Sequence, residues 1–222
     1  MKIIKRTSFD EFYLVNEDVA KTSPMRTHYD SPNPLERTLW ANKKKIIKKI
    51  LAPLPIANIL DVGCGDGRLI DEIDKKVSYT GIDISPTQII EAKKYIKKIK
   101  RKNATLIKED VTKMPFKANA FDAALACDIV EHVLSPKTLF KELKRVVKKN
   151  GYIIFGIPNE DIWEFARLLQ LKFPLHSPDH IHAIYPSDIE KVFPIIEKKI
   201  SLPIPFSSQL SLINIFLVKN AT

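Results

Sequence analysis

The segment Ile59-Leu-Asp-Val-Gly-Cys-Gly-Asp-Gly-Arg68 places three glycines within five residues, directly behind a short apolar run. Gly63, Gly65 and Gly67 permit backbone conformations that a side chain forbids, and they let a ligand lie against the main chain. A helix opening behind such a turn offers unpaired N–H groups to that ligand. Asp61 stands two residues before the first glycine, where it can meet a cationic ligand group, and Asp83 stands twenty residues beyond it. A carboxylate at the end of the second strand of such a unit accepts hydrogen bonds from ribose hydroxyls. Loop and carboxylate together point to an adenosine-containing ligand. The spacing is Gly-x-Gly-x-Gly, whereas dinucleotide sites usually show Gly-x-Gly-x-x-Gly around a pyrophosphate. Asp61 and Asp66 oppose a pyrophosphate and suit an ammonium or sulfonium group.

The elements that must position these residues alternate. Asn33-Pro34 reads as an N-cap followed by proline at the first helical position, opening a helix to about Leu51 that Pro53 and Pro55 terminate. Residues 1–33 show little periodicity. Strands are expected at 58–62, 77–84, 104–108, 121–127 and 152–157. Helices are expected from Gly67 to about Lys75, after the Ser85-Pro86-Thr87-Gln88 capping box, and from Ser135-Pro136 to an Asn150-Gly151 stop, where glycine takes the left-handed turn. Strands joined through helices of this length pair in parallel with right-handed crossovers, and their continuous apolar runs suit a sheet covered on both faces. The fold class is α/β, a Rossmann-like doubly wound sheet. Residues 158–184 are irregular and aromatic, after which Pro186-Ser187 starts a helix with Ser187 and Glu190 as its capping box. Two more strands fit near 195–200 and 211–218.

Leu60-Asp-Val-Gly-Cys-Gly-Asp-Gly67 resembles motif I of the class I S-adenosylmethionine-dependent methyltransferases, and Gly81-Ile-Asp-Ile-Ser85 resembles their second motif. Glu109 to Phe116, Phe121 to Val133 and Lys144 to Tyr152 resemble the motifs that follow, so the likeness covers roughly residues 57–158. The subgroup resembled includes the small-molecule methyltransferases of quinone biosynthesis. The resemblance implies a seven-stranded sheet, mostly parallel with the last strand antiparallel. It divides the chain into an N-terminal segment and helix, 1–56, and a cofactor-binding domain, 57–222, with a substrate cap at 158–184. It implies S-adenosyl-L-methionine as cofactor, its methionine part cradled by Asp61, Gly63, Cys64, Gly65 and Gly67. Asp83 then takes the ribose hydroxyls, Ile84 packs on the adenine, Asp110 and Val111 face its polar edge, and Asp128 borders the same site.

Methyl transfer needs alignment of a nucleophile with an activated carbon and exclusion of water, and a base only when the acceptor arrives protonated. No nucleophilic triad is required. Asp128, Glu131 and His132 follow the fourth strand. They read as capping and packing residues or as a divalent metal site; some relatives bind a metal through Glu-x-x-Glu-His here, and this chain has Asp-x-x-Glu-His. His176, His180 and His182 read as structural, or as a source of a general base or a further metal ligand. His132, His180 and His182 are thus the catalytic candidates. Ile162 to Leu171 is apolar on most sides and reads as a packed helix or as a lid over an apolar acceptor that touches a membrane.

The chain has 222 residues, of which 45% are hydrophobic, enough for one α/β domain and too many for a disordered chain. Its two cysteines, Cys64 and Cys127, make no disulfide framework and no Cys-x-x-Cys zinc pair, and both are expected as reduced residues lining the pocket at the ends of neighbouring strands. No apolar run reaches the roughly 18 residues of a membrane span, and the N-terminus carries no secretory pattern, so a cytoplasmic location is expected. The net charge of +10 sits in lysine runs such as Lys43-Lys44-Lys45 and Lys97-Lys98. These read as solvated helix faces, with RNA or an anionic membrane surface as alternative partners of a chain whose acceptor is small or lipid-like.

Overall fold

The computed structural model describes residues 1–222 except 5–6, 23–28, 170, 172–176, 178, 206 and 222; His176 and Phe173 lie outside the described residues. In chain order the elements are β1 (Lys2–Ile3), α1 (Phe9–Thr22), α2 (Pro34–Leu51), β2 (Asn58–Val62), β3 (Ser78–Asp83), α3 (Pro86–Lys98), β4 (Ala104–Lys108), β5 (Phe121–Cys127), α4 (Pro136–Val146), β6 (Val147–Pro158), α5 (Glu160–Leu169), β7 (His182–Ala183), α6 (Pro186–Val192), β8 (Ile196–Leu202) and β9 (Ile213–Lys219).

Seven strands form one sheet in the order β4-β3-β2-β5-β6-β9-β8. The first five pair in parallel, and β9 runs antiparallel to both β6 and β8. The expected seven-stranded Rossmann-like sheet, mostly parallel with the last strand reversed, is therefore present. Alternating strand residues feed two cores. Leu60, Val62, Ala124 and Phe155 pack with α4 and α6 on one face. Ile59, Tyr79, Leu125 and Ile154 pack with α2 on the other. Burial of both faces explains why the central strands read as unbroken apolar runs.

Local chemistry sets the helix starts. Asn33 Oδ1 accepts from the Leu35 N–H, Ser85 Oγ from the Gln88 N–H and Ser135 Oγ from the Thr138 N–H, each with proline at the first turn. Four expectations change. The helix after Gly67 is a 3₁₀ turn over Arg68–Glu72, whose three-residue repeat directs both Ile70 and Ile73 into the core. Helix α4 ends at Val146 because Val147 already pairs with Phe121, and Asn150, not Gly151, takes the left-handed conformation at φ 62°. Gly151 instead permits close packing, since a Cβ there would lie 2.7 Å from the Asp122 carbonyl oxygen. The capping carboxylate of α6 is Asp188, which accepts from the Tyr185 N–H at 3.0 Å, and not Glu190. The 1–33 segment holds helix α1, which reaches α3 through a hydrogen bond from Thr87 Oγ1 to Glu17 Oε2.

Candidate cofactor and acceptor site

The site lies at the carboxyl ends of β2, β3 and β5. Gly63, Gly65 and Gly67 take φ of 70°, 51° and 78°, which lets the chain double back behind β2. Asp83 ends β3 and fastens this loop: Oδ2 accepts from the Gly65 N–H and Oδ1 from the Ser85 N–H, both at 2.9 Å. Burial raises the Asp83 pKa against the pull of those two donors. Each oxygen keeps a second lone-pair direction for a ligand hydroxyl. Asp110, beyond β4, receives the Thr112 N–H and hydroxyl on Oδ1, which leaves Oδ2 for a ligand amino group.

These residues open into a cavity of about 1300 Å³. Of the expected cofactor set, Gly63, Gly65, Asp83, Ile84, Asp110, Val111 and Asp128 line it. Asp61, Cys64 and Gly67 lie behind the wall. Asp61 points to the α2 face of the sheet and accepts from the Tyr79 hydroxyl at 2.8 Å; burial pushes its carboxyl up to about 7. It supports the loop from below, a consequence of strand alternation: Leu60 and Val62 face the opposite core. Cys64 and Cys127 do end neighbouring strands, but both are buried outside the cavity lining, where desolvation raises the thiols, Cys127 to about 12.

Asp128 is held in the left-handed region at φ 53° and forms an ion pair with Lys43 of α2. Lys43 is fully buried, lies 4.7 Å from the Trp40 ring centroid, and passes the backbone at Gly156, where a Cβ would meet its Cε at 3.2 Å. The other lysines of the conspicuous runs are exposed or half-buried. Lys43 was hidden in its run, yet its spacing from Leu39, Trp40, Ile47 and Ile50 marks it as a member of the buried stripe.

Beyond Asp128 the chain brings Glu131, His132 and His180 together, with one potential ligand atom from each mutually within 4.8 Å. The two rings meet edge to face at 4.7 Å. His180 Nδ1 contacts Glu160, and His132 Nδ1 lies 3.4 Å from Asp179 Oδ2. Glu131 is 1% exposed, its Oε2 has no hydrogen-bond partner among the described residues, and burial raises its carboxyl to about 8. Asp128 stays outside this group, committed to Lys43. His182 does not line the cavity; its N–H donates to the Glu131 carbonyl and burial lowers its ring pKa. No spacing signal singles out Glu160 or Asp179, because only the return of the chain over the sheet brings them to the histidines.

Helices α1, α2 and α5 supply much of the remaining wall, with Leu202, Pro203, Leu212 and Ile213 beside them. Trp163, Ala166 and Arg167 of α5 face the cavity, while Phe165, Leu168 and Leu169 of the same helix are exposed.

A parallel sheet reversed at one edge, with a glycine loop behind its first central strand, is a Rossmann-like fold. Residues 60–155 match the family model described as a methyltransferase domain. That match and the relatives below support the resemblance to class I S-adenosylmethionine-dependent methyltransferases over the central part of the chain. It is similar to a malonyl-[acyl-carrier protein] O-methyltransferase of Marinomonas, 25% identical over 152 residues, which cover 66% of this chain and 55% of that protein. It is also similar to a ubiquinone biosynthesis O-methyltransferase of Coxiella burnetii, 24% identical over 182 residues, 78% of this chain and 77% of that one. The chain thus spans about half the length of the first relative and three quarters of the second. The magnesium protoporphyrin IX methyltransferase of Synechocystis, solved with bound SAH, has the same fold: TM-score 0.69, 16% identity, 94% of this chain and 99% of that one. Among the described residues no helix is long and apolar enough to cross a membrane.

Proposed function

We propose that this chain transfers the methyl group of S-adenosylmethionine to a small or lipid-like acceptor held in the same cavity. The observation that carries this reading is the cavity itself. It joins the glycine loop, Asp83 and Asp110 to a wall of apolar side chains and histidines, and its 1300 Å³ exceeds the roughly 300–1000 Å³ of ordinary single-ligand pockets. The cofactor supplies a sulfonium-activated methyl carbon. Asp83 binds the ribose hydroxyls, Asp110 Oδ2 the adenine amino group, and Ile84 packs on the base. Helices α1 and α5 exclude water from the acceptor half. His180, backed by Glu160, takes the proton from a protonated acceptor. The segment 158–184 acts as the cap, and the exposed Phe165, Leu168 and Leu169 suit an acceptor with an apolar tail delivered from a membrane surface.

A divalent cation at Glu131, His132 and His180 is a second reading, in which His180 is a ligand instead of the base; it is favoured by the buried Glu131 oxygen that has no partner among the described residues. Bound there, it would polarise an acceptor oxygen as a Lewis acid.

Isothermal titration tests the cofactor assignment. S-adenosylmethionine and S-adenosylhomocysteine should bind, with NAD far weaker. Asp83→Ala should cost about 1.5–3 kcal/mol of that affinity, the range for hydrogen bonds to a charged group. A folded Asp83→Ala protein with unchanged affinity would refute the ribose placement.

A further inference from the structure

Both imidazoles of the cluster meet an acidic residue of the segment that follows β6 at the same ring nitrogen, His180 through a carboxylate hydrogen bond and His132 through a backbone carbonyl with a carboxylate beside it. Glu160, the first residue of α5 and 4% exposed, contacts His180 Nδ1. Asp179 approaches His132 Nδ1 through Oδ2 at 3.4 Å, and its backbone carbonyl oxygen lies 3.2 Å from the same nitrogen. Asp179 is itself held, since Ser177 Oγ donates to Oδ1 at 2.5 Å. An acceptor at Nδ1 keeps the proton of a neutral imidazole there and leaves the Nε2 lone pair for a ligand. The loop after β5 is tied to the same segment, because the N–H groups of Ile181 and His182 both donate to the Glu131 carbonyl, at 2.9 and 3.1 Å. The side chain of Glu131 meanwhile holds one buried oxygen with no partner among the described residues.

We infer that Glu160 and Asp179 are positioning residues: they fix His180 and His132 with Nε2 available beside Glu131, and so complete a site for a divalent first-row transition metal ion. This rests on the cation reading given above and extends it to the outer contacts and to the metal class. Two imidazoles and one carboxylate are a donor set that suits ions such as Co²⁺, Mn²⁺ or Zn²⁺, whereas Mg²⁺ favours oxygen ligands. Asp128, paired with Lys43 through Oδ2, lies outside the cluster. The site joins the loop after β5 to Asp179 and His180, so docking of those residues and metal binding support each other.

The test is titration of the full chain with Co²⁺, followed by its visible absorption, and with Mn²⁺ by calorimetry. The parent should bind one ion. Glu160→Gln and Asp179→Asn should each bind it about 10–100-fold more weakly, with a changed Co²⁺ spectrum. S-adenosylmethionine affinity, measured in the same samples, should stay near the parent's. A parent that binds no Co²⁺ or Mn²⁺ overturns the cation reading and this inference together. A parent that binds, beside variants of equal affinity and identical spectrum, overturns the positioning role alone. If Glu160→Gln fails to fold, Asp179→Asn decides by the same criteria, because Asp179 lies outside every helix and strand.

Discussion

Replacing Lys43 with methionine isolates the buried ion pair beneath the cavity. Methionine has similar reach, so contact with Trp40 and the passage beside Gly156 persist while the charge is lost. The change strands the Asp128 carboxylate, whose side chain is 14% exposed while that of Lys43 is fully buried. Removing one partner of a buried pair costs roughly 3–5 kcal/mol, chiefly because the remaining charge lacks compensation. Asp128 borders the cavity, so water reaches it, and the expected loss is reduced to about 2–4 kcal/mol. For a domain of this size that lowers Tm by roughly 5–15 °C. Urea unfolding of the parent, Lys43→Met, Asp128→Asn and the double variant supplies the measurement. Asparagine tolerates the left-handed backbone at position 128. The double variant should recover much of the loss, giving a coupling above about 1 kcal/mol. A Lys43→Met protein within about 0.5 kcal/mol of the parent, or strictly additive single effects, would show that the pair does not hold α2 to the sheet.

Two further outcomes follow from the geometry. Asp61 ionises near 7 when folded and near 3.8 in a free chain, so the folded state binds its proton more tightly; stability from this group is intact below about pH 4 and is lost as pH rises through 7. Asp61→Asn keeps an acceptor for Tyr79 and should narrow the stability difference between pH 5 and pH 8 by up to about 2.6 kcal/mol, read from urea midpoints at each pH; an unchanged difference would sink the assignment. Trp163 faces the cavity and Phe165, two residues on, faces solvent. Trp163→Ala should therefore reduce acceptor kcat/KM at least tenfold with cofactor affinity preserved, while Phe165→Ala should leave turnover on a water-soluble acceptor near the parent's; equal effects of the two substitutions would remove α5 from the acceptor site.

The residue order by itself determined the parallel core and the glycine-loop side of the cavity. Alternating apolar runs, proline-primed helix starts and the Gly63–Gly67 spacing are local signals, because turn conformation and hydrophobic period depend on neighbours in sequence. Asp83 and Asp110 were legible for the same reason: each ends or follows a strand whose position the pattern fixes. Helix α1 was not legible, since no proline-primed start announces it and its packing against α3 is tertiary. The direction of Asp61 was also decided by the fold, as strand alternation turned it toward Tyr79 and away from the cavity. Lys43 belonged to a lysine run that reads as solvated, and burial became definite only when α2 docked over β5 and β6. The pairing of Glu160 with His180 and of Asp179 with His132 depends on the return of the chain across the carboxyl ends of the strands. Such contacts join residues 20 and 47 positions apart, and no local period encodes them.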